Sequence, residues 1–161
     1  MAASPPPDLV VRVAGGADVA ALARLRSLWT PDARDEPGFE ERFRAWLAAE
    51  GGRRTTWLAE LHGAPAGMAS LFEYRRMPRP GRPDVRWGYV GTMFVREDLR
   101  GRGVGSALLR ALVAAADERG YVRLVVAPTP RSLPLYARAG FVVPDAAAGG
   151  DRLLVRPRSR G

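Results

Sequence analysis

Residues 90–120, VGTMFVREDLRGRGVGSALLRALVAAADERG, constrain this chain more than any other stretch. An apolar run ends at Val95, a short polar turn follows, and a basic glycine loop opens directly into a helix. A helix N-terminus carries unpaired N–H groups and the positive end of the helix dipole, so it attracts anions. Glycines there let the backbone reach phosphate oxygens with no Cβ in the way. This order of elements points to a ligand that bears a pyrophosphate.

Spacing separates three kinds of phosphate loop. A Walker loop requires a lysine, and all 25 basic residues of this chain are arginine. The dinucleotide pattern G-x-G-x-x-G also fails: the glycines fall at Gly101, Gly103 and Gly105, Ser106 follows, and residues 96–99 separate the loop from the strand. The third pattern, R/Q-x-x-G-x-G/A, is met by Arg100, Gly103 and Gly105.

The flanking order strengthens this reading. Met93, Phe94 and Val95 end the strand, a helix is expected over 104–119, and YVRLVVA at 121–127 reads as the next strand. Leu135-Tyr136 and Gly140-Phe141 follow. In these features the chain resembles the GNAT acetyltransferase superfamily, closely over 87–143 and in outline elsewhere. The resemblance implies an α/β (mixed α+β) GNAT fold, a strongly twisted mixed sheet of about seven strands with helices on both faces. The expected order is β-α-α-β-β-β-α-β-α-β-β.

The remaining elements follow from periodicity. Residues 9–13 alternate as a first strand, and Asp18 opens a helix whose stripe is Val19, Leu22, Leu25, Arg26 and Trp29. Asp35-Glu36-Pro37 has the chemistry of a second helix start, with Phe39, Phe43, Trp46 and Leu47 on one face and Gly51-Gly52 as the stop. Strands are expected at 55–61, 67–74 and 85–95, with 62–65 as a turn between the first two. Residues 141–143 and 152–156 read as two final strands joined by a linker.

Length and composition bound the rest. A chain of 161 residues is expected to be one domain at 8–161 behind a disordered arm at 1–7 stiffened by Pro5, Pro6 and Pro7. No apolar run reaches membrane-spanning length, the N-terminus lacks signal-peptide chemistry, and a cytoplasmic location is expected. Zero cysteines rule out disulfides and thiol catalysis, and a single histidine leaves no plausible zinc ligand set, so no metal is expected. That histidine, His62, reads as a surface turn residue. The net charge of +8 comes from scattered arginine, with one local cluster at 75–82, and no nucleic-acid partner is expected.

The resemblance further implies transfer of an acetyl group from acetyl-CoA to a primary amine of a small molecule or peptide. It places the thioester and pantetheine arm along Met93, Phe94 and Val95, where a splay between parallel strands frees backbone groups. It places the pyrophosphate on Arg100, Gly101, Arg102, Gly103, Gly105 and Ser106. Thr129 stands where many relatives have an Asn. Tyr136 stands at the usual general acid, and a phenol of pKa about 10 suits protonation of a thiolate of pKa about 8.5.

The chain departs from the family at the base. Many relatives carry a Glu about six residues before the strand-end Val; here Tyr89 stands there, and residues 85–95 hold no carboxylate. Glu73 on the neighbouring strand, Asp84 at the strand entry, or an acceptor of low pKa that needs no base are the open explanations, with Glu73 first. An acyl-CoA-binding module without catalysis and acetylation of an RNA-linked amine are the competing readings. Trp29, Phe39 and Trp87 stand near the acceptor region of the family, and Asp32, Asp35, Glu36, Glu40 and Glu41 form an acidic cluster beside it. A homodimer is compatible with the family pattern.

Overall fold

The computed structural model describes residues 6–30, 32, 35–144 and 153–158. Most of the expected N-terminal arm, the linker after Pro144 and Arg152 lie outside them. The described residues form one six-stranded sheet in the order β1-β2-β3-β4-β5-β6. Its strands are β1 (Leu9–Val13), β2 (Arg54–Leu61), β3 (Ala64–Arg75), β4 (Arg86–Val95), β5 (Arg123–Val126) and β6 (Leu154–Pro157). The helices are α1 (Val19–Leu28), α2 (Phe39–Glu50), α3 (Val104–Glu118) and α4 (Leu133–Arg138). All neighbouring strands run antiparallel except β4 and β5, which are parallel.

Strand alternation builds a core on each face of the sheet. Trp57, Ala59, Leu61, Leu71 and Val90 point to the α3 face, where Val104, Leu108, Leu109, Leu112 and Ala116 meet them. These helical positions repeat with the period of one buried stripe, and each fully buried Leu contributes about 1.5–3 kcal/mol. Leu58, Met68 and Phe94 point the other way, to Leu22 and Leu25 of α1. Gly120, with φ 73°, ends α3 in a left-handed turn in which the Tyr121 N–H bonds to the Ala116 carbonyl at 3.0 Å. Arg156 of β6 clasps Asp117 of α3 through two 3.0 Å hydrogen bonds.

The structure differs from the sequence reading in three places. The β2–β3 connection is two residues, not four: His62 and Gly63 have φ 52° and 73°, a type I′ hairpin that lets Ala64 pair directly with Leu61. The α2 cap is Gly38, left-handed at φ 76°, so the helix starts after Pro37 rather than around it. Residues 141–143 form no strand, only a bridge between Val142 and Val155, which leaves six strands among the described residues where about seven were expected.

Candidate acyl-transfer site

Gly91 is an extra residue in β4, because Ser70 pairs with Thr92 while Leu71 pairs with Val90. This bulge bends β4 away from β5. The two parallel strands pair only at Gly88 with Leu124 and Tyr89 with Val125. Beyond that point β4 runs on to Val95 with β3 on one side and, among the described residues, no strand on the other, so a wedge opens between β4 and β5.

A single turn of 3-10 helix at Glu97–Leu99 leads to Arg100, whose Nε donates to the Val95 carbonyl at 3.3 Å and whose Nη1 meets Glu97 at 3.2 Å. Gly101 and Gly103 then adopt φ 77° and 80°, values L side chains rarely take, and Gly103 caps α3. Successive N–H groups in such a turn point inward and form an anion nest at the helix N-terminus.

A groove of about 710 Å³ runs along this arrangement. Met93, Phe94, Val95, Arg100, Gly101, Gly103, Gly105, Ser106 and Thr129 line it, so most of the positions expected from sequence come together. Arg102 is exposed and is not part of the lining. Thr129 donates through Oγ1 to Ser132 at 3.1 Å and begins a 3-10 turn, so its hydroxyl is already engaged locally. The sequence reading missed Arg131, Leu135 and Arg138, which also line the groove. Arg131 stands in the 3-10 turn that precedes α4, and Leu135 and Arg138 share a face of α4 at i and i+3, a spacing that could have found those two. Trp29 lies on the groove too, stacked on Phe94 at 5.6 Å.

Tyr136 is 3% exposed, belongs to the core on the α3 face rather than to the groove lining, and packs edge-on against Phe141 at 5.3 Å. Burial, with the nearby Tyr89 phenol adding to it, pushes its pKa up to about 12. Among the described residues its hydroxyl has no hydrogen-bond partner.

Glu73 is placed elsewhere. It shares the α3 face with Leu71, accepts a 2.7 Å hydrogen bond from the Tyr121 hydroxyl and a 2.6 Å one from Arg75, and has Arg86 at 3.9 Å. The Tyr121 bond leads in holding its pKa below the ordinary carboxylate value. The structure does not bring Glu73 to the groove, and no carboxylate among the described residues lines it. Asp84 is exposed in the β3–β4 loop. His62 sits in the hairpin turn with Nδ1 3.1 Å from Asp8. In the acidic cluster, Glu36 pairs with Arg42 and Glu40 with Arg44.

The acetyltransferase (GNAT) family model matches residues 19–141, which take in both helical faces and the groove. The chain belongs to the GNAT family. Membership carries acetyl-CoA-dependent N-acetyl transfer. The rice protein glucosamine 6-phosphate N-acetyltransferase 1 is 36% identical over 132 residues, covering 80% of this chain and 76% of the relative. Among solved GNAT-like structures, a predicted acetyltransferase with acetyl-CoA from Clostridium acetobutylicum superposes with a TM-score of 0.69 at 21% identity, over 89% of this chain and 96% of that one. A GCN5-related N-acetyltransferase from Ralstonia eutropha gives 0.66 at 27% identity, over 88% and 97%. The GNAT groove holds no cluster of metal-ligating side chains, nor does any other part of the described residues.

Proposed function

We propose that this GNAT protein holds acetyl-CoA with its pyrophosphate in the Gly101–Gly103 nest and acetylates a primary amine of a small molecule or peptide. The observation that carries the reading is the pair of left-handed glycines at the N-terminus of α3, opening into a groove bounded by the unpaired edge of β4. The residues present fit the group. The nest supplies N–H donors, and Arg100, Arg131 and Arg138 supply charge-assisted donors to phosphate oxygens.

When bound, the co-substrate supplies an activated acetyl thioester. The free edge of β4 at Met93, Phe94 and Val95 orients it, since backbone groups without a strand partner accept and donate hydrogen bonds at no reorganisation cost. As the amine lone pair attacks, a C–N bond forms, the C–S bond breaks, and the sulfur leaves with the electron pair. Tyr136 gives that sulfur its proton and regains one from water. Its raised pKa means only that the phenol holds its proton at neutral pH, and it makes the phenol a weaker acid toward the developing thiolate.

Glu73 serves as a structural anchor in this account, because its lowered pKa and filled hydrogen bonds make it a poor proton acceptor. The acceptor enters as the free amine and its surplus proton passes to water. Thiol release, followed with acetyl-CoA and a panel of primary amines, tests the proposal: turnover on one class supports it. Binding without release on any amine would leave a coenzyme-binding module instead.

A further inference from the structure

The face of the sheet opposite α3 carries a polar floor beside the β4 bulge. Arg54, Phe72 and Tyr89 are register partners across β2, β3 and β4, and Ser70 pairs with Thr92 in the next row. The Arg54 side chain reaches across β3 to the bulge. A Cβ placed on Gly91, itself exposed, would lie 3.4 Å from Arg54 Nη1, 3.7 Å from the Tyr89 ring and 3.8 Å from Ser70 Oγ. Gly91 is therefore an exposed position bordered by a guanidinium, a tyrosine ring and a hydroxyl, at the point where β4 leaves β5.

Arg54 is unusual among the arginines here. Its side chain is 17% exposed, clamped over the rings of Trp46 at 4.7 Å and Phe72 at 5.2 Å. Its polar contacts are long: Nη1 to Ser70 Oγ at 3.4 Å and Nη2 to Glu50 at 3.5 Å. Its Nε is buried with no hydrogen-bond partner among the described residues. Unsatisfied buried donors are a cost that folds retain mainly at functional sites. Glu50 offsets the charge only in part, being one-third exposed and at the limit of contact.

We propose that Arg54 is the residue that selects the acceptor, by pairing with an anionic group, carboxylate or phosphate, carried on the same molecule as the reacting amine. The guanidinium fork suits either anion, and Ser70 turns its hydroxyl from accepting Arg54 to donating to the ligand. The inference rests on the transfer reading above and adds the charge of the acceptor to it.

Two matched pairs test the charge and its source: glucosamine 6-phosphate against glucosamine, and phenylalanine against phenylalaninamide. The native protein is expected to favour the charged member of at least one pair by roughly tenfold or more in kcat/KM. The pair that responds tells phosphate from carboxylate. Arg54→Gln should erase that preference while leaving the uncharged member and acetyl-CoA affinity unchanged, and Arg54→Lys, which keeps the charge, should retain part of it. Equal use of charged and uncharged members by the native protein, or equal losses on both in folded Arg54→Gln, overturns the assignment. If no amine is turned over, the transfer reading fails on its own. Calorimetry of the same pairs with coenzyme-loaded protein then decides Arg54 separately, and absent or charge-indifferent binding overturns it.

Discussion

The Tyr121 hydroxyl donates a 2.7 Å hydrogen bond to Glu73, and with Arg75 on the other oxygen it commits that carboxylate to joining β3 to the chain leaving α3. A group held this way supports the sheet where β4 and β5 still pair, one register step from the wedge. Glu73→Gln should therefore lower stability by about 1–3 kcal/mol, the order of a lost charged hydrogen bond in a mostly buried setting. Turnover per folded molecule should stay within roughly twofold of native. The sign with pH follows from the lowered pKa of Glu73. Its contribution is present above the ordinary carboxylate value of about 4.3 and is lost as pH falls through the folded value. Thermal midpoints across that acid range should fall less steeply in the variant.

Gly67 meets β4 at the other end of the strand. A Cβ there would lie 2.6 Å from the Phe94 carbonyl oxygen, a backbone atom that cannot rotate away. Gly67→Ala should force β3 from β4 and cost about 1–3 kcal/mol, the range of overpacked cores. Because Phe94 also borders the groove, coenzyme affinity should weaken alongside the thermal midpoint.

Much of the candidate groove's lining was legible because a glycine at positive φ before a helix leaves a sequence trace. Arg100, Gly103 and Gly105 carry that trace, and the structure puts them on one groove. The acid–base assignment was less legible. Alternation shows that Glu73 shares a face with Leu71, but only the assembled sheet shows that this face belongs to α3. The bulge at Gly91 is equally silent in sequence, yet it decides that Tyr89 and Arg54 share a face. The seventh strand failed for a physical reason: Val142 and Val143 are both more than half exposed, so the segment has no buried alternation to hold it in the sheet.

Arg131 and Arg138 flank the groove on α4 and its preceding turn. Replacing either with Ala should weaken acetyl-CoA binding about tenfold, the order of one charge-assisted hydrogen bond. The loss should shrink as salt rises, since screening already weakens the native contact. A loss that ignores salt would point to packing instead.

Tyr136→Phe should lower turnover by roughly 10²–10⁴-fold with coenzyme affinity nearly unchanged, the usual scale of acid catalysis. With the phenol's pKa pushed up to about 12, the native rate should show no falling limb near pH 10, where a free tyrosine would lose its proton. On the acid side, kcat/KM should rise as pH climbs through the pKa of whichever amine is used, since no carboxylate among the described residues lines the groove to take its proton.

Calorimetric titration with acetyl-CoA, run on the native protein and on Gly103→Val, tests the central claim most directly. A β-branched residue at φ 80° destroys the nest while leaving both cores in place. Saturable binding in the native protein, weakened by about a hundredfold or more in a variant that still unfolds cooperatively at a somewhat lower thermal midpoint, is the expected result. Equal affinity in the two proteins, or no binding by the native one, would contradict the assignment of the groove.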